Sequence, residues 1–290
     1  MNIAISGATG YIGRHLTAFF TAGGHRVVPL NRLLFREGMM GELVHALSHC
    51  DVVINLAGAP INKRWTTEYR KEIINSRVQL THRLVHALET VKKSPKLLIS
   101  TSAVGYYPCD TVSDEYSNTR GSGFLADLCQ AWEKEAQRCP KQTRLVITRF
   151  GLVLSPDGGV MQQMLLPIQK IRLSLAFGPG TQPFPWVEMN DLCRAMAFII
   201  DHESVQGVVN LVAPQDITQY AFARSLGKAY GACRTVLIPN RLIHLLMGEQ
   251  GNMLTTGQYV HPTRMLDAGF SFLTPTIEDL LEENEPKYTG

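Results

Sequence analysis

Three glycines spaced three apart shape the turn Gly7-Ala8-Thr9-Gly10-Tyr11-Ile12-Gly13, which follows the short apolar run Asn2 to Ser6 and opens a helical pattern from Tyr11 to Ala22. Glycine takes the backbone through a tight turn, lets amide groups approach a ligand without a Cβ between them, and lets a helix pack close to a strand. A helix that starts here directs unpaired N–H groups and the positive end of its dipole at whatever lies before it. That chemistry suits an anion. The position, where a first strand gives way to a helix, is that of a dinucleotide pyrophosphate. Gly7, Thr9, Gly10, Tyr11, Ile12 and Gly13 are the residues expected to line it.

The next apolar run, His25 to Leu30, ends in Asn31-Arg32. An NAD-selective site commonly carries Asp or Glu about 20 residues beyond the glycines, to accept hydrogen bonds from the ribose 2′-hydroxyl. Here that carboxylate is missing. Arg32 offers a fork of donors that would grip a 2′-phosphate, and Arg36 adds to the same patch. The expected cofactor is NADP(H), with Asn31 and Arg32 at its 2′-phosphate. In the run Asn55-Leu56-Ala57-Gly58-Ala59, Leu56, Ala57 and Gly58 are expected under its adenine-ribose side.

The elements that must position these residues alternate. Strands are predicted at Asn2 to Ser6, His25 to Leu30, Val52 to Leu56, Lys96 to Ser100 and Arg144 to Thr148. Helices are predicted at Tyr11 to Ala22, Glu68 to Val91 and Phe124 to Arg138. Such alternation means an α/β fold, a Rossmann doubly wound parallel sheet, here with a small C-terminal substrate lobe. Residues 1–150 are expected to form the NAD(P)-binding domain, and 151–290 mainly the substrate lobe with some segments returning to the sheet. Beyond Gly151 the rhythm is irregular, with further helices predicted at Asp191 to Asp201, Tyr220 to Tyr230 and Ile277 to Glu283. The acidic stretch Glu282 to Gly290 reads as a frayed end.

Composition narrows the function classes. Of 290 residues 45% are hydrophobic and 18% charged, which is core enough to fold and too little charge for disorder. A net charge of +3 without any block of Lys and Arg gives no footprint for nucleic acid or an anionic membrane, so the expected partner is a small-molecule substrate. No run reaches the roughly 18 apolar residues of a membrane span. The six cysteines form no CxxC pair. With an opening that lacks a signal-peptide pattern, they point to a cytoplasmic protein.

Later motifs extend the reading: Ser76-Arg77-Val78, Ser100-Thr101-Ser102-Ala103-Val104-Gly105-Tyr106-Tyr107, Trp132-Glu133, Arg149-Phe150-Gly151, Gly178-Pro179-Gly180, Pro185-Trp186-Val187, Asn190-Asp191, Ala213-Pro214 and Gly269-Phe270. With the glycine turn, these resemble the atypical extended short-chain dehydrogenase/reductases, in the epimerase-family subgroup described as NAD(P)-binding nucleoside-diphosphate-sugar epimerases. The resemblance covers nearly the whole chain. It implies a Rossmann lobe with a smaller substrate lobe, and it places Ser102 at the superfamily's catalytic serine. Working members carry Tyr-x-x-x-Lys on the following helix. With the register set by Glu133, Leu125 and Cys129 stand there instead, and Arg77 stands where an asparagine is usual.

If the chain is an enzyme, its candidate catalytic residues are Ser102, Tyr106 and Cys129. Ser102 would hydrogen-bond a substrate oxygen, and Tyr106 would supply a proton. Cys129 would titrate near neutral pH with Arg77 favouring its thiolate, or would only fill the space of the lost pair. Arg77 is also expected near the cofactor. Two functions stay open. One is an NADP(H)-dependent oxidoreductase or epimerase acting on a hydroxylated small molecule, such as a nucleotide sugar, through hydride transfer. The other is a non-catalytic NADP(H)-binding sensor.

The pairs His45/His49 and His82/His86 read as solvated helix faces, with no third ligand and no metal expected. Leu242 to Met247 reads as a packed helix, and Trp186 either lines the substrate cleft or pins its loop.

Overall fold

The computed structural model describes residues 1–282. Glu283 to Gly290, where the sequence predicts the end of the last helix and a frayed terminus, lie outside the described residues. In chain order the strands are β1 (Asn2–Ser6), β2 (Arg26–Leu30), β3 (Val52–Asn55), β4 (Leu97–Ala103), β5 (Val112–Ser113), β6 (Arg144–Phe150), β7 (Leu152–Ser155), β8 (Leu173–Phe177), β9 (Trp186–Glu188), β10 (Gly207–Leu211), β11 (Arg234–Ile238) and β12 (Tyr259–Val260). Helices α1 (Tyr11–Ala22), α2 (Met40–Leu47), α3 (Thr67–Ile74), α4 (Leu80–Thr90), α5 (Phe124–Ala136), α6 (Gly159–Ile171), α7 (Met189–Asp201), α8 (Gln219–Ala229) and α9 (Asn240–Met247) alternate with them.

Six strands form the central sheet in the order β10-β6-β4-β3-β1-β2, and β1 pairs in parallel with both β2 and β3. This is the Rossmann-type parallel sheet expected from the sequence. The order reverses between β1 and β3, so the loops that follow those two strands flank the switch point where ligands of such sheets bind. Register brings Ser6 level with both Leu30 and Asn55, and Asn55 level with Ser100. Every residue of β3 is buried, as a parallel strand covered on both faces requires. One side of that cover is a cluster of Ala4, Leu43, Leu47, Val53, Leu84, Leu88 and Leu98.

The chain divides into two compact units. The first comprises Met1–Tyr106, Ser122–Arg149 and Cys193–Val209, and the second comprises Tyr107–Gly121, Phe150–Leu192 and the described chain from Asn210. The second has its own core around Leu154, Leu165, Trp186, Phe222, Leu226 and Leu280, with three two-stranded sheets, β11-β8, β12-β5 and β7-β9. Trp186 is therefore a core residue of this unit, fully buried.

Three expectations need correction. The long helix predicted over Glu68 to Val91 is interrupted by a π-turn at Asn75–Gln79, between α3 and α4. The apolar pattern predicts neither α2 nor α6, the latter because Pro156 and Gly158 stand just before it and Pro167 lies inside it. The helix over Leu242 to Met247 exists as α9, but only Ile243 packs inward; Leu245 and Leu246 are 81% and 71% exposed.

Candidate functional site

The glycine turn leaves β1 with Gly7 at φ +72°, a left-handed conformation that a side chain would strain. Gly13 cannot be anything larger, because a Cβ there would lie 2.1 Å from the Gly7 carbonyl oxygen. Gly10 differs. It is the N-cap of α1, no side chain caps the helix there, and a Cβ on it would meet only the Gly7 oxygen at 3.2 Å and otherwise project into open space. The first N–H groups of α1 thus look out over a glycine that the packing itself does not demand. Thr9 is exposed, Tyr11 and Ile12 are partly buried, and the Thr9 carbonyl accepts a bond from Arg14 Nη1 at 3.0 Å. This cradle fits a dinucleotide pyrophosphate.

Beyond β2, Asn31 Oδ1 accepts from Leu33 N at 2.9 Å and caps a single 3₁₀ turn, Arg32–Phe35. That cap fixes where Arg32 leaves the strand end. The Arg32 side chain is exposed and has no ion-pair or hydrogen-bond partner among the described residues.

The loop after β3 is set by a buried polar chain. Ser6 Oγ donates to Asn55 Oδ1 at 2.6 Å and accepts from the amides of Leu56 (3.1 Å) and Ala57 (3.2 Å). Asn55 Nδ2 donates to Thr81 Oγ1 at 2.8 Å, which also accepts from Trp132 Nε1 at 2.9 Å. Ser6, Asn55 and Thr81 are fully buried, so each of these bonds satisfies a group that water cannot reach. Gly7 and Ala57 consequently touch backbone to backbone: a Cβ on Gly7 would stand 3.2 Å from Ala57 Cα. Further along, the π-turn supplies Ser76, whose Oγ accepts from Ala59 N at 2.9 Å, and Arg77, whose Nη1 donates to Ala59 O at 3.0 Å. Burial pulls the Arg77 guanidinium below its usual range.

At the end of β4, Ser102 Oγ donates to Glu133 Oε1 at 2.6 Å. Glu133 also accepts two parallel bonds from Arg149, Nε to Oε1 at 2.8 Å and Nη2 to Oε2 at 2.7 Å. Arg149 lies 3.5 Å from the centroid of the Tyr106 ring. Ser102, Glu133 and Arg149 are each 5% exposed or less, so the ion pair is buried. The hydroxyl proton of Ser102 is committed to Glu133. Cys129 Sγ points at Ala103 O, 3.7 Å away, and Leu125 packs beside Gly105, so both face the end of β4 from one side of α5. Burial, then the Glu133 charge, push the Cys129 thiol up to about 11. A thiolate near neutral pH is therefore not what this environment favours: desolvation outweighs the nearby cations.

The sequence matches the family model described as "NAD dependent epimerase/dehydratase family" over residues 3–212, and a domain of unknown function, DUF1731, over residues 238–283. The chain belongs to the NAD dependent epimerase/dehydratase family. It is 33% identical to the mouse epimerase family protein SDR39U1 over 98% of this chain and 99% of that one. It is 38% identical to the epimerase family protein SA0724 of Staphylococcus aureus (strain N315) over 80% of each. The crystal structure of human epimerase family protein SDR39U1 (isoform 2) with NADPH superposes with a TM-score of 0.89 at 33% identity, covering 98% of both chains.

Within this family member, the first unit brings together Gly7 to Gly13, Leu56 to Gly58 and Arg77 around the ends of β1 and β3, and Ser102, Tyr106 and Cys129 around the end of β4. Sequence reasoning missed the chain Ser6–Asn55–Thr81–Trp132 and used Glu133 only to set a register. A buried acid facing a buried arginine 16 residues later leaves no periodic signal. Among the described residues no group of three His, Cys, Asp or Glu could hold a metal, and no helix is long and apolar enough to cross a membrane.

Proposed function

We propose that this protein binds NADP(H) and uses it to oxidise or reduce a hydroxylated small molecule. The observation that carries the reading is the open glycine cradle at the start of α1, with an exposed, unpartnered Arg32 at the end of β2 where an NAD site would have an acid. The NADPH in the human relative's structure supports it. Gly7, Thr9, Gly10, Tyr11, Ile12 and Gly13 would hold the pyrophosphate, Asn31 and Arg32 the 2′-phosphate, and Leu56, Ala57, Gly58 and Arg77 the remaining edge. When bound, the nicotinamide would supply two-electron oxidation or reduction of an alcohol–carbonyl pair. Ser102 would orient the substrate by accepting a hydrogen bond from its hydroxyl, with Tyr106 as the nearby phenol. A nucleotide sugar is one substrate consistent with the family.

Isothermal titration with NADP⁺ and NAD⁺ tests the cofactor. Wild-type protein should prefer NADP⁺, and Arg32→Ala should cost about 1.5–3 kcal/mol of NADP⁺ binding, the range for hydrogen bonds to a charged group, while sparing NAD⁺. Equal affinity for the two nucleotides would remove the arginine from the site. A second reading, a sensor that binds the cofactor without turnover, is favoured by Leu125 and Cys129 in place of Tyr and Lys. Absorbance at 340 nm across a panel of hydroxy and keto compounds separates the two.

A further inference from the structure

Arg77 is held in an unusual way for a partly buried cation. One edge of its guanidinium is pinned, Nη1 donating to Ala59 O at 3.0 Å and to Ile73 O at 3.4 Å. One face is covered by Gly58: a Cβ there would lie 2.8 Å from Cζ, closer than to Nη2 (2.9 Å) or Nε (3.1 Å), so the glycine stands over the plane and not at its edge. The Trp132 ring centroid is 5.4 Å from Cζ. The other edge, Nε with Nη2, donates to nothing among the described residues, and no carboxylate pairs with this charge. Arg149, in the same unit, shows the contrast, since Glu133 meets its fork with two bonds. Desolvating a charge without a counter-ion is costly, and two carbonyls with an indole face do not neutralise it.

From this we infer that the Nε/Nη2 edge of Arg77 is an oxyanion-binding fork, built to take a carboxylate or a phosphate in two parallel hydrogen bonds. The planar guanidinium matches both anions, and a guanidinium already fixed by its neighbours loses little freedom on binding. The anion has two possible sources: a phosphate of the dinucleotide, or an acid group on the substrate, in which case the substrate is a hydroxy or keto acid or a phosphate ester. The second source deepens the proposed function and rests on it; the fork itself does not.

The test uses the full chain and inorganic phosphate. The Nε–H signal of Arg77, assigned by its loss in a folded Arg77→Lys variant, is followed by ¹H–¹⁵N NMR as phosphate is added at constant ionic strength, with and without saturating NADP⁺. The signal should move saturably. In Gly58→Ala, where the new Cβ displaces the guanidinium without removing its charge, phosphate affinity should fall about tenfold or more, as loss of a charge-assisted bond implies. Should Arg77→Lys not fold, Gly58→Ala still decides, because its own signal shift identifies the resonance. A response that persists with NADP⁺ bound assigns the fork to a substrate acid, and one that NADP⁺ abolishes assigns it to the dinucleotide. No saturable shift in the wild type, or equal affinity in Gly58→Ala, overturns the inference. Calorimetry with NADP⁺ on the same sample separates this from the cofactor reading: absent NADP⁺ binding rejects that reading while leaving the phosphate response to judge Arg77.

Discussion

At the scale of single residues, Glu133 joins a charge, a hydroxyl and a ring into one buried assembly. Glu133→Gln keeps its shape and removes its charge, taking from Arg149 the carboxylate that meets its fork with two bonds. Unfolding by urea should show a loss of about 3–5 kcal/mol, the cost of breaking a buried pair on one side. An unchanged midpoint in Glu133→Gln would mean that water reaches the pair. Ser102→Ala should be mild for stability but, once a substrate is known, should lower turnover by about 10²-fold or more with cofactor affinity intact.

The elements carry a different kind of information. Gly10 and Gly13 belong to one turn yet should fail differently. Gly13→Ala forces a Cβ to 2.1 Å from a carbonyl oxygen and should disrupt the packing of α1 on β1, visible as a lowered melting temperature by circular dichroism. Gly10→Val should stay folded and lose dinucleotide binding by calorimetry, because its side chain would fill the space before the helix. A folded Gly10→Val that still binds NADP⁺ would place the phosphates elsewhere. The β1–α1–β2 start was legible because its apolar period changes from strand to helix across glycines, and the structure gives α1 the bounds Tyr11–Ala22 that were read from the sequence. The π-turn at Asn75–Gln79 was not, since one extra residue in a helical turn leaves the apolar pattern nearly intact. Nor were β5, β9 and β12, where two or three residues pair too briefly to show alternation. The site divides in the same way: its glycines are local and readable, and its supports, Asn55 with Thr81 and Glu133 with Arg149, are made across the fold.

For the molecule as a whole, the thiols set an alkaline limit. Burial pushes Cys129 up to about 11 and Cys139 up to about 12, from an ordinary value of 9.0. The folded state therefore prefers the protonated thiols. Below pH 9 folded and unfolded chains both hold these protons and the contribution is complete; above it the unfolded chain ionises first, and stability is lost as pH rises toward 11 and 12. Urea midpoints from pH 8 to 11 should fall, and less steeply in Cys129→Ala with Cys139→Ala. Equal slopes would assign the alkaline loss to other groups. The division of the chain into interleaved segments has a consequence for its manufacture. The first unit needs Cys193–Val209, which includes most of β10, the strand beside β6, yet its previous segment ends at Arg149. A ribosome adding roughly 5–20 residues per second takes several seconds over the intervening stretch of about 60 residues. During that time β6 has an unpaired edge, so the nascent chain should be most prone to aggregation, and most dependent on a chaperone, between the synthesis of Arg149 and that of Val209. Ribosome-bound chains stalled at 150 and at 230 residues should differ sharply in protease resistance.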